Sequence, residues 1–82
     1  MAEKEHEHFI HYELDGEPES TIAKILTPTQ ILSDAGFDPK TNYLEQLIGH
    51  EIKSYKNDPN VEIEMKNGLR FLTKPVGPMP VS

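Results

Sequence analysis

The chain predicts an α+β fold in which one short capped helix packs on a mixed sheet of four to five strands. Three observations predict it. Ile10, Tyr12 and Leu14 alternate with His11 and Glu13, the period of two that marks a half-buried strand. Thr27-Pro28-Thr29-Gln30 has the composition of a helix start. Val61, Ile63 and Met65 alternate with Glu62, Glu64 and Lys66 ahead of Asn67-Gly68 and the strand-like residues 69–73.

The opening strand is punctuated by Asp15-Gly16-Glu17-Pro18. Asp-Gly supplies the positive backbone angles of a tight hairpin turn, and proline cannot donate to a ladder. A second strand is expected over residues 19–26, with Ile22 and either Ala23 or Ile25 packing inward. At the helix start, Thr27 can cap, Pro28 stands at N1 where no amide hydrogen is needed, and Gln30 completes a capping box. Ile31, Leu32 and Ala35 form the apolar stripe. Gly36 ends the helix in a left-handed conformation, with Phe37 beyond it making the accompanying apolar contact. After the turn at residues 38–42, residues 43–48 have strand composition and Gly49 closes them. Residues 51–56 read as a short edge strand or irregular element, followed by a loop at residues 57–60. Asn67-Gly68 then predicts a type I′ hairpin joining the last two strands.

Eighty-two residues make one domain at most, and a chain of that size buries about 60–65% of the surface its unfolded form exposes. A formal charge of −6, from 14 acidic and 8 basic residues, repels phosphate backbones and argues against nucleic acid as a partner. The absence of cysteine removes disulfides and thiolate metal sites and suits a reducing cytoplasm. Residues 1–7 have neither a signal peptide's apolar core nor a transit sequence's character, and no run of residues approaches the roughly 20 apolar positions of a membrane span. The expected layout is a disordered acidic N-terminus over residues 1–7, a folded domain over residues 8–74 and a flexible tail over residues 75–82.

Catalytic chemistry finds little support. Glu62 and Glu64 are alternate positions on an exposed strand, where nothing raises a carboxylate pKa. His6, His8 and His11 lie close in sequence, but His11 points to the opposite strand face and they read as surface histidines. No glycine-rich phosphate loop is present. The expectation is a protein that is not an enzyme and has no metal or cofactor site. Glu3, Glu5, Glu7, Glu13, Asp15, Glu17 and Glu19 cluster early in the chain and could form an acidic docking face for a basic partner.

An element order of strand, strand, helix, strand, weak strand, strand or loop, strand is a β-grasp pattern. In that arrangement the first and last strands lie side by side, parallel, at the middle of the sheet, and the C-terminal segment leaves from one end of it. On this order the chain resembles the bacterial ubiquitin-like domains grouped as multiubiquitin domains. The matching pieces are Tyr12-Glu13-Leu14-Asp15-Gly16, Leu26-Thr27-Pro28-Thr29-Gln30-Ile31-Leu32 with Ala35-Gly36-Phe37, Tyr43-Leu44, and Leu69-Arg70-Phe71-Leu72-Thr73.

The resemblance implies a protein modifier or recognition module served by activating, conjugating and deconjugating enzymes, with the tail as attachment or processing element. Here the chain departs from ubiquitin: Gly77 stands alone between Val76 and Pro78, and Ser82 closes the sequence. The tail is either cut to expose Gly77 or another residue, conjugated through a non-glycine end, or never conjugated. A non-conjugated adaptor that binds a protein through its sheet surface or its weak edge strand is the alternative. Such domains are recognised through an apolar patch on the exposed sheet face, which Leu44, Ile48, Leu69 and Phe71 could supply. The hairpin register sets Leu69 opposite Lys66 and Phe71 opposite Glu64. That leaves one face apolar only in part, so either the register differs or the helix covers Leu69 and Phe71.

Overall fold

The computed structural model describes residues 9–76. In chain order the elements are β1 (Ile10–Leu14), β2 (Glu17–Thr21), β3 (Ile25–Leu26), α1 (Pro28–Asp34), β4 (Asn42–Ile48), β5 (Glu51–Ser54), β6 (Ile63–Glu64) and β7 (Arg70–Pro75). They form an α+β fold: a five-stranded mixed sheet in the order β2-β1-β7-β4-β5, a two-stranded sheet of β3 and β6, and one short helix. The last strand is central. It runs parallel to β1 on one side and antiparallel to β4 on the other.

Local chemistry sets the first turns. Asp15 at φ 55° and Gly16 at φ 80° form the two-residue loop that pairs Leu14 with Glu17, both residues taking the positive angle a type I′ turn requires. The second strand therefore begins at Glu17, two residues before its expected start, and Pro18 is tolerated because β2 is a sheet edge. The strand also ends early. Thr21 Oγ1 accepts the Ala23 amide at 3.0 Å, bending the chain out of the sheet, and residues 25–26 pair instead with β6. Ile22, expected inside, is thus exposed; of Ala23 and Ile25, the two candidates for the other inward position, Ala23 packs against the core while Ile25 is exposed, and Leu26 is buried.

At α1 the capping box forms as read: the Gln30 amide donates to Thr27 Oγ1 at 3.1 Å and the Thr27 amide to Gln30 Oε1 at 2.9 Å. Thr29 sends both its amide and its hydroxyl to the Pro59 carbonyl, at 3.0 and 2.8 Å. Another orphan donor of the first turn is thereby used to tie down the loop after β5. At the other end Gly36, at φ 90°, donates to Ser33 O at 3.0 Å and Phe37 to Leu32 O at 2.9 Å, the paired bonds of a Schellman ending.

The expected hairpin of the last two strands does not form. Asn67 keeps a negative φ and only Gly68 is positive, so the I′ geometry is absent. Asn67 Oδ1 instead accepts the His11 amide at 2.8 Å, and the Gly68 amide donates to His11 O at 2.9 Å. These bonds begin the parallel seam, which continues through Glu13 N to Leu69 O and Asp15 N to Phe71 O, both 2.9 Å. It closes where Thr73 N donates to Asp15 Oδ1 at 2.8 Å. A side chain at each end extends a ladder that backbone alone would leave short.

The core joins Tyr12, Leu14, Leu44 and Phe71 of the large sheet to Ile31 and Leu32 of α1, with Leu26, Ile63, Met65 and Tyr55 at its margin. Within it the Tyr55 hydroxyl donates to Gln46 Oε1 at 2.7 Å, pairing two polar groups that would otherwise be buried at a cost of about 1–3 kcal/mol. Burial raises the Tyr12 phenol pKa above its ordinary 10.0, helped by the Glu19 and Asp34 carboxylates, and burial alone raises that of Tyr55. A raised phenol pKa means the folded chain holds its protons after the unfolded chain has lost them. Stability is then untouched below the unfolded value and declines as pH climbs past it. Urea midpoints measured between about pH 8 and 11 should fall at the alkaline end, and Tyr12→Phe should make that fall shallower.

Candidate interaction surface

Strand period two divides the large sheet into a face under α1 and an open face. The buried partners Leu14 and Phe71, and Phe71 and Gln46, fix the parity. The open face then carries His11 and Glu13 on β1, Arg70, Leu72 and Lys74 on β7, Tyr43, Glu45 and Leu47 on β4, and Ile52 on β5. Leu47 is the direct partner of Ile52 on one side and of Arg70 on the other, and Leu72 is the partner of Glu45. Ile52, Leu47 and Leu72 consequently make a diagonal apolar strip across three strands, with Leu47 and Leu72 half-buried and Ile52 58% exposed.

Charge frames the strip. Arg70 Nε donates to Glu13 Oε1 at 3.3 Å in an open ion pair, a geometry worth about 0–1 kcal/mol and easily exchanged for a partner's charge. Toward the rim where β7 ends, Lys74 is the cross-strand partner of Tyr43, and Lys56 Nζ lies 5.7 Å from the Tyr43 ring, a distance suited to a cation–π contact. Pairing continues past the strand, since the Val76 amide donates to Thr41 O at 2.9 Å. The ladder thus occupies residues 75–76, which were expected to belong to the tail. Gly77 and Ser82, the expected attachment positions, lie outside the described residues.

This surface differs from the one read in the sequence. Leu44 and Phe71 are buried at 0% and 1% exposure, Leu69 is packed against the core, and Ile48 is exposed but sits on the α1 side of the sheet. The displacement is one residue along each strand, which moves a side chain to the other face. Ile52, Leu47 and Leu72 were missed as a group because β4 carries apolar residues on both faces. The signal that finds them is the partnership of Leu47 with an edge-strand isoleucine.

The acidic cluster is also divided. Among its described members, Glu13 lies on the open face, Glu17 and Glu19 share the parity of Leu14 and Tyr12 on the other, and the Asp15 carboxylate is engaged by Thr73 N. A single acidic docking face does not result. His11 is exposed, and His6 and His8 lie outside the described residues. Among the described residues no three His, Cys, Asp or Glu side chains gather as metal ligands. Glu62 and Glu64 are exposed. Hollows of about 270 Å³ beside His11, Pro18 and Arg70 and of about 180 Å³ beside Pro28, Tyr43 and Val76 fall below the roughly 300–1,000 Å³ of small-molecule sites. The better-developed feature is therefore a flat, mixed surface of the kind proteins bind.

Comparison with protein-family models, with curated proteins and with solved structures returns no match. What the surface binds has to be read from its own chemistry. No helix among the described residues is long and apolar enough to cross a membrane.

Proposed function

We propose that the chain is a ubiquitin-like β-grasp domain serving as a modifier or recognition module of a bacterial conjugation system, with no catalytic activity of its own. The observation that carries this reading is the position of β7. The strand is held between β1 and β4 at the middle of the sheet, paired as far as Val76, so the residues that follow start from a fixed point on the rim. Partner enzymes then have a rigid body to grip and a defined place to find the tail. The open strip of Ile52, Leu47 and Leu72, with Arg70 and Lys74 beside it, supplies the grip. A centre of apolar contact ringed by polar groups is where binding energy concentrates in protein interfaces.

In this reading the enzymes supply the chemistry. A tail carboxylate attacks the α-phosphorus of ATP on an activating enzyme, giving an acyl adenylate with loss of pyrophosphate; an enzyme thiol then displaces AMP to give a thioester, and an amine displaces the thiol to leave an amide. Gly77 is the favoured exposed terminus after processing, because a residue without a side chain threads most easily into an enzyme cleft. The proline that follows makes cleavage after Gly77 slow for general proteases. A dedicated peptidase is accordingly part of the proposal.

A second reading rests on the same strip, which can dock a protein without any covalent step. The two separate by mass. Denaturing extraction of the protein from its own cells should yield, besides the free chain, larger species that survive boiling and give branched peptides ending in tail residues. Removal of residues 77–82 should abolish those species. If only the unmodified chain is recovered, the adaptor reading stands and conjugation is discarded.

A further inference from the structure

We propose that β5 is a self-pairing edge and that two copies of the chain associate through it about a two-fold axis, merging their large sheets into one. The sheet has two edges, β2 and β5, and they differ chemically. On β2, Pro18 offers no amide hydrogen, and Glu17 and Glu19 flank it on one face, so a second β2 brought alongside in antiparallel fashion would set glutamate against glutamate. Proline and like charge are the usual devices that stop an edge from pairing.

Among the described residues no strand pairs with the outer edge of β5. The Tyr55 amide donates to Leu44 O at 2.9 Å, which fixes the phase of the β4–β5 ladder. In an antiparallel pair, hydrogen-bonded and non-hydrogen-bonded partners alternate. Partner pairs 44 and 55, and 46 and 53, therefore exchange bonds, whereas Leu47 and Ile52 face each other without them. The N–H and C=O of Ile52 and of Ser54 consequently point away from the sheet, toward whatever lies beyond the edge.

The sequence Glu51-Ile52-Lys53 is self-complementary in that setting. With Ile52 opposite its own copy, the two isoleucines exchange both backbone bonds. Glu51 of each chain then stands opposite Lys53 of the other, in non-hydrogen-bonded pairs, where side chains approach closest. Two-fold registers centred on Lys53 or on Glu51 would place lysine against lysine or glutamate against glutamate, so charge favours the Ile52-centred register over both. Lys53 Nζ already lies 5.4 Å from the Tyr55 ring, which keeps its stem along the sheet near the position the pair needs. Ile52, at 58% exposure among the most open apolar side chains described, would meet its twin and lengthen the Ile52–Leu47–Leu72 strip across both chains. An isologous contact of this kind closes on itself and does not propagate into fibres.

Four residues of edge give a small interface, below the roughly 1,200 Å² at which stable complexes begin, so the dimer is a weak one. Sedimentation equilibrium on the full chain from about 10 μM to about 1 mM should show the average mass rising from one chain toward two. Glu51→Lys alone, or Lys53→Glu alone, puts like charges at both positions and should raise the dissociation constant about tenfold. The double variant E51K/K53E reverses both signs and should restore association. Amide exchange should slow at Ile52 and Ser54 as concentration rises. A single-chain mass up to about 1 mM, a double variant no better than either single one, or slowed amides on β2 in place of β5 would each overturn the proposal. All the substituted side chains are exposed, so failure to fold is not expected to obscure the result. The inference needs neither conjugation nor the adaptor reading, and its outcome is independent of the mass experiment above.

Discussion

Phe71→Ala should be among the most destabilising single changes the chain can suffer. Phe71 is 1% exposed on the central strand, bracketed by Leu14 on β1 and Gln46 on β4, and its ring meets that of Tyr12 edge-on at a centroid separation of 5.9 Å and 83°. Truncating a buried phenylalanine costs about 3–5 kcal/mol through lost transfer energy and the cavity left behind. The edge-to-face contact adds about 0.5–1.5 kcal/mol to what area alone would give. Folded domains hold about 0.05–0.15 kcal/mol per residue, so a chain of 82 residues has roughly 4–12 kcal/mol to lose. The urea midpoint should drop by about a quarter or more, and at the lower end of that range the variant would be unfolded without denaturant. A loss of less than about 1 kcal/mol would place Phe71 on a surface and contradict the packing of β7.

The contrast between Phe71 and Leu72 shows how far the sequence could be read. Features settled within a few residues were legible: the Asp15-Gly16 loop, the Thr27 and Gln30 capping box, the Gly36 and Phe37 ending, and the alternation that buries Tyr12 and Leu14. Each depends on local backbone angles or on side chains reaching their own neighbours. The central position of the last strand beside a parallel first strand was legible too, because element order constrains it.

Features settled by distant partners were not. Asn67-Gly68 has hairpin composition, yet Asn67 spends its side chain on His11, fifty-six positions away, and that bond outweighs the local turn preference. Residues 22–26 have strand composition, but Thr21 turns the backbone aside and β3 finds β6. The exposed face of the sheet was misassigned for a related reason. Tyr43, Leu44, Leu47 and Ile48 present apolar groups to both sides of β4, so alternation does not say which side meets the helix. Gln46, a polar residue on the buried side, strengthens the wrong choice, and only its bond to Tyr55 explains its place.

The corrected face makes the second large prediction. Replacing both Leu47 and Leu72 by glutamate should abolish the capture of protein partners while leaving the fold nearly intact. Neither side chain is part of the buried core, so the stability cost should stay within about 1 kcal/mol each. At the centre of an interface the same change removes apolar contact and buries an unpaired charge, and residues in such places commonly cost more than 2 kcal/mol when altered, about thirtyfold or more in affinity. Ile48→Glu supplies the control. Ile48 is 50% exposed but lies on the opposite side of the same strand, so charge placed there should leave capture unchanged if the open face is the one that binds. The immobilised full chain, the double variant and the Ile48 variant, each exposed to extract from the protein's own cells and compared by quantitative mass spectrometry, make the test. Loss of partners with Ile48→Glu and their retention by the double variant would move the binding site to the helix side of the sheet.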